Sequence, residues 1–198
     1  MIKDKRERIL LAAIEVVSQK GYHQASIEEI AKTADIGKGT VYVYFSSKKE
    51  LFRELVKYSI QKFFEMLEQE LNGIRDPKEK LRVMMTVYTR FAIKHTNFAK
   101  IVLNDIGAVG EPLKRWMMTA RRKMADLLSD IIDQGIKQGM FREVDRQTVA
   151  LMFIGSMGAN IAPRIFFDET DVEEKTYDEL IEKILEIFLN GINKKQVW

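Results

Sequence analysis

The chain has 198 residues, of which 46% are hydrophobic and 31% are charged, with 11 Gly and 3 Pro. This composition is typical of a folded, helix-rich protein and excludes a collagenous or disordered chain. The net charge is only +3, and the absence of cysteine excludes disulfides, thiol catalysis and thiolate zinc sites. No apolar run approaches the ~18 residues that cross a membrane, and no signal peptide is recognisable, so we expect a cytoplasmic protein without a membrane partner.

Helical periodicity begins close to the N-terminus. The apolar positions of the first helix are Ile9, Leu10, Ala13, Ile14 and Val17, and Gly21 is predicted to end it. Ser26 and Glu29 have the spacing of a capping box, which predicts a short second helix that extends to about Ala34. After the turn at residues 35–37, a third short helix is predicted from about Lys38 to Phe45.

Six further helices follow from the same patterns. A second capping box, Ser47 with Glu50, predicts a long helix to about residue 71, and Asp76 followed by Pro77 predicts the start of the next. The remaining helices are predicted at about 97–106, 111–138, 145–167 and 172–192, with Asp145 as a cap. The predicted fold is therefore all-α: an N-terminal three-helix helix-turn-helix unit (1–47), a plan typical of DNA binding, followed by a six-helix domain (48–198).

The charge distribution supports a nucleic-acid interface in the N-terminal unit. In a helix-turn-helix, the second helix of the pair enters the major groove. Residues 36–49 contain Lys38, Lys48 and Lys49 and no acid, although the whole chain is almost neutral. A short basic stretch of this kind suits a surface that faces phosphates, although such stretches also occur on solvated faces.

The segment from Ile30 to Leu51, IAKTADIGKGTVYVYFSSKKEL, resembles the DNA-binding signature of the TetR family of transcriptional regulators. Gly21-Tyr22 and Ala25-Ser26-Ile27 match that family as well. The resemblance implies a DNA-binding region followed by a divergent helical domain that binds a small ligand and dimerises. The DNA contacts it implies are Ser26, Ile27, Lys38, Gly39, Thr40, Tyr42, Val43, Tyr44 and Lys48. Packing of Tyr42 and Tyr44 against the fourth helix is the alternative, and Phe45 is expected in the core.

The larger domain has a methionine-rich, aromatic interior that suits an adaptable pocket. The candidate ligand-binding residues are Met84, Tyr88, Phe91, His95, Met117, Arg121, Met124 and Met157. The alternative is that these residues form an ordinary core. The basic run between Lys114 and Lys123 is either a solvated face or a site for an anionic effector, such as the acyl-CoA of fatty-acid-responsive family members.

The sequence shows no catalytic or metal-binding pattern. His23 and His95 lie 72 residues apart, and no serine lies in a nucleophile elbow, so we expect neither an enzyme nor a cofactor. The resemblance favours a homodimeric repressor that binds a near-palindromic operator and is released by a small lipophilic or acyl-type effector. A transcriptional activator, and a helical ligand-binding or scaffold protein without operator binding, are the alternatives.

Overall fold

The computed structural model describes residues 4–96, 99, 110–167 and 174–192. These ranges contain eight helices: α1 (Lys5–Gln24), α2 (Ile27–Thr33), α3 (Lys38–Tyr44), α4 (Lys48–Leu71), α5 (Pro77–Lys94), α6 (Glu111–Lys137), α7 (Arg146–Phe167) and α8 (Glu174–Ile192). The predicted all-α fold is confirmed. The short helix predicted at 97–106 lies outside the described residues except for residue 99.

The predicted helix boundaries follow local hydrogen bonds. The Glu29 N–H donates to Ser26 Oγ at 3.2 Å, and the Ser26 N–H donates to Glu29 Oε2 at 3.2 Å, which confirms the first capping box. Asp76 and Asp145 also cap their helices, because their carboxylates accept hydrogen bonds from the N–H groups of Lys78 and Thr148. Gly21 has a non-helical φ of 79°, so the regular part of α1 ends at this glycine as predicted, and a further turn after the kink extends to Gln24.

The capping box predicted at Ser47 is only half correct. The Glu50 N–H donates to Ser47 Oγ at 3.1 Å as expected. The Glu50 carboxylate, however, accepts from the Ser46 N–H at 2.7 Å and from the Ser46 hydroxyl, one residue before the predicted partner. The extended side chain of Glu50 thus closes the cap on the residue that follows Phe45, which fixes the junction between α3 and α4.

By their contacts, the described residues form two compact units. The first consists of residues within Met1–Phe63 and His95–Met117. In it, α1 packs against α2 and α2 against α3. Its buried core contains Ile9, Leu10, Ala13, Ile30, Ala31, Val41, Phe45, Leu51, Phe52, Leu55 and Leu113. The first part of α4 therefore packs with the N-terminal unit, while the functional division at residue 47 stays a prediction.

The second unit consists of residues within Phe64–Lys94 and Met118–Trp198. In it, α5 packs against both α7 and α8, and α7 packs against α8. Its most deeply buried side chains include Leu67, Leu81, Met84, Met85, Leu128, Ile132, Phe141, Phe153 and Met157. None of the helices in the described ranges has the length and apolar character needed to span a bilayer.

Candidate nucleic-acid interface and effector residues

The turn between α2 and α3 is held by the backbone and by α1. Asp35 adopts the left-handed conformation with φ 52°, and the Ile36 N–H donates to the Ala31 carbonyl at 3.0 Å. The guanidinium of Arg8 donates to the Ala34 carbonyl at 2.6 Å. In the sequence, Arg8 is marked only by its place in a charged N-terminal segment, which does not predict this contact. The turn that positions α3 is therefore braced by a side chain from α1.

Helix α3 has an anchored face and an exposed face. Val41 and Phe45 are buried at 0% and 2% exposure, whereas Tyr42, Val43 and Tyr44 are 47%, 80% and 37% exposed. The core position of Phe45 is confirmed. The exposed face therefore presents both an apolar side chain, Val43, and the hydroxyls of two tyrosines. Such a face suits the edges of DNA bases, which carry methyl groups as well as hydrogen-bonding groups.

The other predicted DNA contacts surround this face. Lys38 and Gly39 are exposed, while Ser26 and Thr40 are partly exposed. Ile27 is buried, so its side chain belongs to the core and only its backbone remains as a contact group. The arrangement places the hydroxyls of Ser26 and Thr40 near the starts of α2 and α3, where the positive end of the helix dipole attracts anions.

Two of the cations are held in defined positions. The Lys48 ammonium donates to the His23 carbonyl at 3.1 Å and lies 4.7 Å from the centre of the Tyr22 ring, and burial lowers the pKa of Lys48. The Lys38 ammonium donates to the carboxylate of Glu28, and this hydrogen bond raises the pKa of Lys38. The basic stretch is therefore free of acid in sequence but not in space, because the preceding helix supplies Glu28.

The candidate effector residues divide between the two units. Met84, Met124 and Met157 are buried in the second unit, where Tyr88 and Phe91 are half-buried. Burial raises the pKa of Tyr88, so its hydroxyl stays neutral. His95 and Met117 belong to the first unit, and Met117 packs at the edge of its core. Thr89 is a buried polar residue on α5 that the sequence analysis missed, because threonine carries no burial signal of its own.

Arg121 is exposed and borders a surface depression of about 570 Å³ in the second unit. The depression is lined by Met118, Thr119, Arg121, Arg122, Ala125, Asp126, Ser129, Gln147 and Leu151. Its lining thus contains two cations, one acid, and both polar and apolar side chains. No cluster of His, Asp or Glu suited to a metal ion occurs in the part of the chain that the structure describes.

Comparison with known families accounts for both units. Residues 9–55 match the model of bacterial regulatory proteins of the tetR family, and residues 75–162 match the tetracyclin repressor-like C-terminal domain. The chain belongs to the TetR family. The match over residues 9–55 confirms the resemblance seen between Ile30 and Leu51. TetR-family proteins are transcriptional regulators.

Individual TetR-family relatives cover most of the chain. The fatty acid metabolism regulator protein of Bacillus subtilis is 26% identical over 98% of this chain and 100% of its own length. The transcriptional activator FasR of Mycolicibacterium smegmatis is 28% identical over 75% of this chain and 68% of its own length. The solved structure of FadR from Bacillus subtilis in complex with stearoyl-CoA has a TM-score of 0.78 at 24% identity, covering 94% of this chain and 99% of its own, which establishes the shared fold.

Proposed function

We propose that this TetR-family protein is a dimeric regulator, most simply a repressor, which binds a near-palindromic operator and is released by an acyl-CoA. The observation that carries the proposal is the division of α3: Val41 and Phe45 anchor the helix, and Tyr42, Val43 and Tyr44 are left exposed. Action on chromosomal DNA would place the protein in the cytoplasm.

The proposed DNA contacts fall into two groups. Ser26, Ile27 through its backbone, Gly39 and Lys48 contact phosphates and set the register, because they offer N–H, hydroxyl or ammonium donors. Lys38, Thr40, Tyr42, Val43 and Tyr44 face base edges and sugars. A lysine donates to guanine O6 and N7, and a threonine or valine methyl contacts the thymine methyl.

The proposed dimer uses the exposed apolar faces of α7 and α8. Leu151 and Met152 on α7 are 48% and 63% exposed, and Ile187 on α8 is 75% exposed. On Gly155 and Gly158 of α7, an added Cβ would meet no described atom within 4 Å. Packing among the described residues therefore gives no reason for glycine at these positions, whereas close approach of a second copy does. A two-fold pair of such faces forms a four-helix interface.

The proposed effector site lies among Met84, Tyr88, Phe91, Met124 and Met157, with Arg121 as a candidate for an anionic group; His95 and Met117 remain candidates at the edge of the first unit. Flexible methionine side chains can adapt to an acyl chain. A fatty acid metabolism regulator among the relatives supports this ligand class. Because α4 continues from the first unit into the second, a shift of this helix is the proposed route to weaker DNA binding.

The test begins with selection of duplexes from a randomised pool by the wild-type protein. The selected duplex should contain two related half-sites, and stearoyl-CoA should lower its affinity, while free CoA serves as the control. Because coupling between two ligands is reciprocal, the duplex should weaken stearoyl-CoA binding by the same factor. Failure to select any sequence would overturn operator binding, and selection without an effect of any acyl-CoA would overturn the effector class.

An activator is the second candidate, since one relative is the transcriptional activator FasR. Transcription in vitro from a promoter that carries the selected duplex distinguishes the two roles. A repressor lowers the transcript yield, and an activator raises it.

A further inference from the structure

An acidic side chain lies among the candidate DNA contacts. Glu28, in the first turn of α2, accepts a hydrogen bond from the ammonium of Lys38, the first residue of α3. The Glu28 and Lys38 side chains are 61% and 49% exposed, so the pair lies at the surface of the helix-turn-helix. The hydrogen bond from Lys38 lowers the pKa of Glu28, which keeps the carboxylate ionised near neutral pH.

Glu29, the next residue, has a structural role in α2. The carboxylate of Glu29 accepts from the Ser26 N–H and hydroxyl and from Lys20, so it closes the capping box and ties α2 to α1. Glu28 instead pairs with a candidate base-reading residue. An ion pair this exposed contributes little to stability, because water screens the two charges and both side chains lose rotamer freedom. An acid in the first turn of α2 also complements the helix dipole, but that role does not require a carboxylate that reaches Lys38 across the turn.

The hydrogen-bonding groups of Glu28 and Lys38 together match those of a DNA base pair. A lysine ammonium can only donate, and it suits the O6 and N7 acceptors of guanine. An ionised carboxylate can only accept, and it suits the N4 amino group of cytosine. Side by side, the two groups complement both partners of a G·C pair in the major groove. Phosphates repel the carboxylate. An A·T pair does offer it the adenine N6 amino group, but thymine then gives the ammonium the single acceptor O4, where guanine gives two.

We propose that Glu28 is a specificity-determining residue of the DNA interface, which together with Lys38 favours a G·C pair and disfavours DNA that lacks it. This inference rests on the proposed operator binding through α2 and α3. Its cost is a lower affinity for DNA in general, since the carboxylate both repels phosphates and occupies the Lys38 ammonium in the free protein.

The experiment compares Glu28→Gln, Lys38→Met and the double variant with the wild type. Glu15→Gln is the matched control, because it removes the same charge from an exposed position on α1. The probes are the duplex selected by the wild-type protein, its single base-pair variants and a scrambled duplex of equal length. Thermal unfolding of each variant confirms that the fold is retained.

Glu28→Gln should bind the scrambled duplex about two- to fivefold more tightly and tolerate replacement of one G·C pair. That gain should be at least halved when Lys38→Met is already present. Unchanged discrimination by Glu28→Gln, or an equal change in Glu15→Gln, would overturn the inference and leave operator binding intact. If the wild-type protein selects no duplex, operator binding and the inference fall together.

Discussion

Tyr42 on α3 and Phe45 at its C-terminal end show how position decides the role of an aromatic side chain. Tyr42 is 47% exposed and Phe45 is 2% exposed. We expect Tyr42→Ala to leave the unfolding free energy nearly unchanged but to weaken binding of the selected duplex by about 1–3 kcal/mol. Phe45→Ala should instead destabilise the first unit by about 3–5 kcal/mol, because it leaves a cavity in the core. Urea unfolding and fluorescence anisotropy measure the two quantities, and equal stability losses would contradict the assignment.

Tyr88 provides a prediction about pH. Burial raises the pKa of its phenol above the ordinary value of about 10. A group whose pKa is raised on folding contributes stability below its unfolded pKa, and the contribution is lost as pH rises through the folded pKa. We expect Tyr88→Phe to remove one late-ionising phenol from the alkaline absorbance titration and to reduce the loss of stability above about pH 10. An unchanged late phase in the variant would contradict burial of the hydroxyl.

At the scale of the element, the C-terminus of α6 depends on one glycine. An added Cβ at Gly135 would lie 2.1 Å from Cδ2 of Phe141, and the Met140 and Phe141 N–H groups both donate to the Gly135 carbonyl. The Phe141 ring therefore fills the space that a side chain would take. We expect Gly135→Ala to destabilise the second unit by about 1–3 kcal/mol.

The control for this prediction is Gly191→Ala, where no described atom lies within 4 Å of an added Cβ. Its unfolding free energy should change by no more than about 0.5 kcal/mol. Gly135→Ala combined with Phe141→Leu should lose less stability than the two single changes added together. Additive losses in urea unfolding would show that the glycine and the ring do not compete for the same space.

The helices were largely predictable from the sequence, because the residues that start and end a helix lie close together in the chain. The capping box of Ser26 and Glu29 and the caps at Asp76 and Asp145 depend on residues two or three positions apart. Non-local contacts were not predictable. Arg8 reaches the Ala34 carbonyl from 26 residues away, and Glu28 reaches Lys38 across the turn. A stretch that reads as free of acid can therefore face a carboxylate from another helix.

The candidate effector site shows the same limit. Helical spacing predicted that Met84 and Met124 face inward, and both are buried; Met157, a candidate from the methionine-rich composition alone, is buried as well. Spacing along single helices does not predict which inward faces meet, and His95 and Met117 group with the other unit. The basic run that contains Arg121 indicated one wall of the surface depression, but the α7 wall gave no signal, because its residues are far from Arg121 in sequence. Roles in ligand binding for these residues stay predictions.

At the scale of the whole molecule, operator binding depends on presenting two copies of α3. A single seven-residue helix reaches few bases, so a near-palindromic operator requires a two-fold partner. The apolar side chains that remain exposed on the described parts of α7 and α8 are the surface that we propose for that partner. The affinity for the full operator should consequently depend on side chains that contact no DNA.

Ile187 is the sharpest test of this dependence, because it is the most exposed large hydrophobic residue on α8 in the described part of the chain, at 75%. We expect Ile187→Glu to raise the dimer dissociation constant at least about tenfold, since two buried carboxylates would face each other across the interface. Sedimentation equilibrium measures this change. The unfolding free energy of the monomer should stay within about 0.5 kcal/mol of the wild type.

Gln69→Glu is the matched control, because it adds the same charge at an exposed polar position of α4, outside the proposed dimer faces of α7 and α8. It should change the dissociation constant much less than Ile187→Glu. The Ile187 variant should also bind the two-site duplex with little more affinity than a single half-site, whereas the wild type prefers the two-site duplex strongly. A variant that remains dimeric with full operator affinity would exclude the α8 face from the dimer interface.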